Sequence, residues 1–173
     1  MKNIIQNIRR LFFDNSCTCC GEKASDNLIY LCYNCLDKIV RQKSLNKVGD
    51  TYYIWPYKGE FRKLLLEYKN NSRLALGKII SSLIEEEIFK VVYEEDIDYI
   101  VPIPINFRRE QIRGFNQVEE ILKNLNYSFL KTNRVKNTKK MFKILDKEKR
   151  ENNIKNSFKV DKEFKAKNIL IFD

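Results

Sequence analysis

Residues 97–105 read Ile97-Asp98-Tyr99-Ile100-Val101-Pro102-Ile103-Pro104-Ile105, an apolar run broken only by Asp98 and two prolines. This is the pattern of a buried strand leaving a sheet, because a strand covered on both faces has no polar side to show. A second run of the same kind, Asn168 to Phe172, stops at Asp173. Between and before these runs, apolar residues recur at helical spacing. Phe61, Leu64, Leu65 and Tyr68 predict one helix; Leu74, Leu76, Ile79, Ile80, Leu83, Ile84, Ile88 and Val91 predict a longer one; Phe115, Val118, Ile121, Leu122 and Leu125 predict a third. Thr51 to Trp55, β-branched and aromatic and ending at Pro56, reads as a further strand, and Ser128 to Leu130 as a short one. Strand, helices, strand, helix, strand at these spacings predicts an α/β protein with a parallel sheet and crossover helices.

Outside this frame the chain divides by composition. Ile4, Ile5, Ile8, Leu11 and Phe12 predict a short amphipathic helix over residues 2–13, followed by a cysteine-rich segment. Leu36, Ile39 and Val40 suit a short helix after the last cysteine, and polar residues 41–50, ending in Gly49-Asp50, read as a linker. Two domains are expected: a helix and cysteine module over 1–45, and an α/β domain over 46–173. The triplet Glu85-Glu86-Glu87 reads as a solvated helix face, since consecutive helical residues do not converge on one substrate atom.

At 173 residues, with 43% hydrophobic and 32% charged residues, the chain can bury a sizeable core. No run approaches the roughly 18 to 20 apolar residues that would span a bilayer, and no secretory signal is visible, so membrane insertion is not expected. Cysteines in C-x-x-C pairs without such a signal point to a reducing compartment, the cytoplasm. The net charge of +10 is unevenly placed. Residues 1–100 carry fifteen basic against fourteen acidic side chains, and residues 101–173 carry eighteen against nine. A basic half of this kind suits nucleic acid, a phosphorylated sugar or an anionic protein, and equally a lysine-rich solvated surface.

Cys17-x2-Cys20, eleven residues, then Cys32-x2-Cys35 supply two chelating turns that can set four soft thiolates round one tetrahedral ion. Gly21 gives the first turn its backbone freedom. Four protein ligands leave no open position for water or substrate, so the expected Zn2+ is structural. Cys19 stands outside the pattern as a bystander, although it is one residue from a ligand and could substitute for it. The second constellation follows the proline-containing strand: Arg108, Arg109, Arg113, Gly114, Phe115, Asn116 and Gln117. A loop offering three guanidinium groups beside a helix start outlines an anion site, because the planar fork of arginine matches pairs of phosphate oxygens. Arginines in a loop are equally often simply solvated.

Taken in order, the cysteine head, Tyr57-Lys58-Gly59 with a helix reaching Lys69, the Val101-Pro-Ile-Pro strand with Arg113-Gly-Phe-Asn-Gln, Arg134 with Thr138, Arg150 to Asn153, and Phe158 resemble the ComF family over nearly the whole chain. The resemblance implies a type I phosphoribosyltransferase-like fold behind an N-terminal four-cysteine zinc knuckle, and an association with DNA uptake during natural transformation. It implies that Arg108, Arg109 and Arg113 hold the diphosphate of phosphoribosyl pyrophosphate, used with Mg2+, with Gly114, Asn116 and Gln117 lining the same edge and Lys69 as a second anion contact. It also implies that Asp173 is the first of two acids gripping the ribose hydroxyls, at the start of a phosphoribosyl loop the sequence does not contain. On this reading the α/β domain is truncated at its C-terminal side, and turnover depends on that loop being supplied. Met141 stands where relatives carry Gln, and the chain has no histidine to act as a general base. No catalytic residue is assigned. The alternative is a non-catalytic zinc-containing module that binds single-stranded DNA or a competence protein through its basic half.

Overall fold

The structure, a computed structural model, describes residues 15–70, 73–136, 138, 144–160, 165 and 168–173. The helix expected over 2–13 and Met141 lie outside these residues. The chain divides into two compact units, Met1–Glu87 and Ile88–Asp173.

In the first unit, the cysteine segment leads into helix α1, Tyr33–Arg41. Its Cys35 and Ile39 are buried, and Lys38 and Arg41 fall in its last turn, where cations face the negative end of the helix dipole. The expected linker is partly a hairpin. Strand β1, Asn46–Val48, pairs antiparallel with β2, Thr51–Tyr53, through a tight turn in which Gly49 takes a φ of +57°. That hairpin is a separate two-stranded sheet, so the strand at Thr51 does not join the parallel one. Helix α2, Gly59–Asn70, buries Leu64 and Tyr68 as its periodicity predicts. Helix α3, Leu74–Glu94, begins in this unit and ends in the second, and buries Leu76, Ile80, Ile84, Ile88 and Val91 along one stripe. Glu85 and Glu86 of the acidic triplet are exposed, whereas Glu87 pairs with Lys43 at 2.8 Å.

In the second unit, β3 (Tyr99–Pro102) and β6 (Ile169–Phe172) form the expected parallel pair, with Ile100 opposite Leu170 and Pro102 opposite Phe172. Pro102 costs the ladder a donor but sits at the strand's last position, where the break is tolerated. The chain between them passes through α4 (Phe107–Arg113), α5 (Gln117–Asn124), β4 (Asn133–Arg134), α6 (Lys147–Ile154) and β5 (Phe158–Lys159). Strands β4 and β5 make a short antiparallel pair in which Arg134 faces Phe158. Ser128–Leu130 is not a strand, although the Leu130 amide donates to the Ile100 carbonyl at 2.9 Å and runs that segment beside β3.

No helix among the described residues is long and apolar enough to cross a membrane.

Candidate functional site

The sulfur atoms of Cys17, Cys20, Cys32 and Cys35 lie within 4.8 Å of one another. Four sulfurs about 2.3 Å from a tetrahedral Zn2+ would stand about 3.8 Å apart, and Cys20 and Cys32 are separated by 3.7 Å. The donor set and its spacing therefore fit a metal ion such as zinc.

Local backbone geometry explains how the quartet closes. The Cys17 amide donates to Glu22 at 2.6 Å and the Gly21 amide returns to Cys17 at 2.8 Å, folding the first pair into a tight turn. Gly21 closes it at a φ of +81°, where a side chain would be strained. Cys32 is the N-cap of α1, and the Tyr33 amide beside it donates to the Ser25 hydroxyl at 2.9 Å. Cys32 caps α1 and Cys35 lies three residues on in its first turn, a spacing that brings the two side chains to one side of the helix.

Cys17, Cys32 and Cys35 are buried and Cys20 is exposed. Burial pushes the Cys17 thiol up, but the backbone amides of Cys20, Cys19 and Cys32 outweigh it and bring the thiol down to about 6. Cys35 is raised, first by burial and then by its sulfur neighbours. Cys19 faces the other way: its thiol donates to the Glu60 carbonyl at 3.4 Å, and burial lifts it to about 11. Its own carbonyl accepts from Lys63 Nζ at 2.7 Å, which fastens the cysteine turn to α2.

The arginine constellation takes a different shape from a loop. Arg108, Arg109 and Arg113 lie on helix α4, capped by the Asn106 side chain, which accepts from the Arg108 amide at 3.0 Å. Gly114 ends that helix at a φ of +81° and a Cβ there would meet nothing, so this glycine serves the turn between helices. Four residues apart, Arg109 and Arg113 share a half-buried face, while Arg108 is exposed. Arg113 Nη1 donates to Gln117 Oε1 at 2.7 Å. Asn116 caps α5 through the Val118 amide at 3.0 Å and also donates to Ile103 and Glu119, so it ties the helix start to the end of β3. Asn116 and Gln117 are both buried. Asp173 follows β6, whose Phe172 carbonyl accepts from the Ile103 amide at 2.9 Å, so Asp173 lies beside the segment that leads from β3 to α4. Lys69 lies in the last turn of α2, in the first unit.

Sequence reasoning gave no role to Arg134. Burial first, and then the like charge of Arg109, lowers both Arg113 and Arg134 below the ordinary arginine range. Among the described residues none of Arg109, Arg113 and Arg134 has a carboxylate at ion-pair distance. The signal available in the sequence was only the Arg134 and Thr138 pairing within the family resemblance; Arg134 does donate to the Thr138 hydroxyl.

Comparison with protein-family models, with curated proteins and with solved structures finds no match for this chain.

Proposed function

We propose that the chain is a ComF-type, phosphoribosyltransferase-like protein associated with DNA uptake, with a structural Zn2+ in its first unit and a site for phosphoribosyl pyrophosphate in its second. The observation that carries the reading is the position of Arg109 and Arg113, two half-buried guanidinium groups just past the carboxyl end of β3, which runs parallel to β6. In open α/β sheets ligands bind outside the carboxyl ends of the strands, and half-buried arginines with no carboxylate partner among the described residues favour an anion there.

On this reading Arg109 and Arg113 bind the diphosphate, and Gln117 holds the Arg113 fork in place through its 2.7 Å hydrogen bond. Asp173, at the end of the neighbouring strand, takes the ribose hydroxyls. Mg2+ accompanying the ligand supplies charge neutralisation of the diphosphate oxygens. The phosphoribosyltransferase-like fold and the cytoplasmic setting belong to the same proposal, and group transfer to an acceptor would require a loop that binds the 5′-phosphate.

Titration calorimetry of the protein with phosphoribosyl pyrophosphate and Mg2+ tests it. Saturable binding that Arg113→Ala weakens by about tenfold or more is expected from loss of a charge-assisted contact. Binding of a single-stranded oligonucleotide that falls steeply with salt and survives Arg113→Ala, with no response to the sugar diphosphate, would favour a nucleic-acid module instead.

A further inference from the structure

We propose that Cys20 is the modification site of the cysteine quartet: a peroxide oxidises its sulfur first, Cys32 resolves the product as a disulfide, and the metal is released. The inference concerns the regulation of the metal centre and rests on the reading that the quartet holds Zn2+.

Exposure divides the four ligands. Cys17, Cys32 and Cys35 keep only 1%, 8% and 2% of their surface accessible. Cys20 is exposed, and so are Gly21, Glu22 and Lys23 after it, which leaves an approach to its sulfur open. Oxidation of a thiolate follows its access to solvent and the nearness of a second thiol able to resolve the product. The adjacent Cys19 does not meet that second condition, because it is buried with its thiol turned to the Glu60 carbonyl of α2. Cys32 does. Its sulfur lies 3.7 Å from that of Cys20, so a small rotation of the exposed side chain brings the two to a bonded distance of about 2 Å.

The chemistry balances with hydrogen peroxide as the oxidant. The Cys20 thiolate attacks one peroxide oxygen, the O–O bond breaks, and the sulfur becomes a sulfenic acid as hydroxide leaves. The Cys32 thiolate then attacks that sulfur, the S–O bond breaks, and a second hydroxide leaves as the S–S bond forms. Two electrons pass from the sulfurs to the peroxide, and each hydroxide takes a proton from solvent to become water. Cys17 and Cys35 are then the only thiolates left in the quartet, and two ligands of four do not retain a structural ion. The disulfide ties the first cysteine turn to the cap of α1, two segments that the metal would otherwise join, so the unit keeps a cross-link while the metal is gone. A thiol reductant reverses the bond by exchange and restores the four ligands.

The probe is hydrogen peroxide, added to the wild-type protein purified with its zinc. A chromogenic chelator reads the released metal, and peptide mass spectrometry without reduction maps the disulfide. About one zinc per chain should be lost in step with a Cys20–Cys32 disulfide, and dithiothreitol followed by zinc should restore both the thiols and the metal. A sulfenic-acid trap present during a brief exposure should tag Cys20 ahead of the other three ligands. Cys19→Ala should give the same release and the same disulfide. The main measurements use the unaltered chain, so they stand however the variant folds. A first disulfide between any other pair, a trap that tags Cys17, Cys32 or Cys35 before Cys20, or zinc that stays bound after Cys20 is oxidised overturns the proposal and leaves the metal reading intact. A folded protein that carries no zinc before peroxide is added overturns both.

Discussion

The indole Nε1 of Trp55 donates to the backbone carbonyl of Ile39 at 2.8 Å, inside the first unit. Ile39 lies in the last turn of α1, the helix that Cys32 caps, and Trp55 stacks on Phe61 of α2 with ring centroids 4.1 Å apart. One side chain therefore joins the helix of the cysteine quartet to the helix after the hairpin.

Trp55→Phe keeps a stacking ring but removes the donor and part of the packing. The expected cost is about 1–3 kcal/mol, combining a net hydrogen bond with lost core volume, measured by urea unfolding with zinc present. Trp55 is also the only tryptophan, so its emission should respond when a chelator strips the metal.

The cysteines separate into ligands and a bystander. Cys35→Ser should lower zinc content to well below one per chain and destabilise the first unit by about 3 kcal/mol or more, in keeping with loss of a structural metal. Cys19→Ala should retain its zinc, since that thiol is turned to Glu60. Metal analysis of the two purified variants checks the contrast.

Gly77 of α3 opposes Tyr68 of α2. A Cβ at Gly77 would lie 2.9 Å from the Tyr68 hydroxyl oxygen and 3.1 Å from two ring carbons, and Tyr68 is almost fully buried. Glycine to alanine inside a helix ordinarily gains about 1 kcal/mol. Here overpacking, which costs about 1–3 kcal/mol, should reverse the sign, so Gly77→Ala is expected to unfold at lower denaturant than wild type.

Acidification should weaken the first unit. In the metal-free protein the Cys17 thiol lies at about 6, below its ordinary 9.0. A depressed group stabilises the fold fully above the higher value and loses that contribution as pH falls through the lower one. Stability of the metal-free protein from this thiolate should therefore decline between about pH 9 and pH 6. Bound metal competes with protons for the same sulfurs and should carry the decline to lower pH. Thermal melts across this range, with and without zinc, measure the difference.

The parallel pair was legible because its strands, Tyr99–Pro102 and Ile169–Phe172, are apolar runs with clear ends. The quartet was legible because two short chelate spacings admit few other uses for four cysteines. Strand β1 was hidden in polar residues that only the Gly49 turn could have marked. Helix α4 was hidden as well: Phe107–Arg113 buries nothing and is defined by its caps, Asn106 and Gly114. The helix puts Arg108 on a different face from the one that Arg109 and Arg113 share. The hydrogen bond that Leu130 donates to Ile100 of β3 could not be read from spacing, since thirty residues separate the two.

The metal centre can be tested without altering the chain. Zinc-edge X-ray absorption of protein purified without chelator should give about one zinc per chain in a shell of four sulfurs at about 2.3 Å. A shell with fewer than four sulfurs, or a folded protein free of metal, would contradict the four-thiolate site.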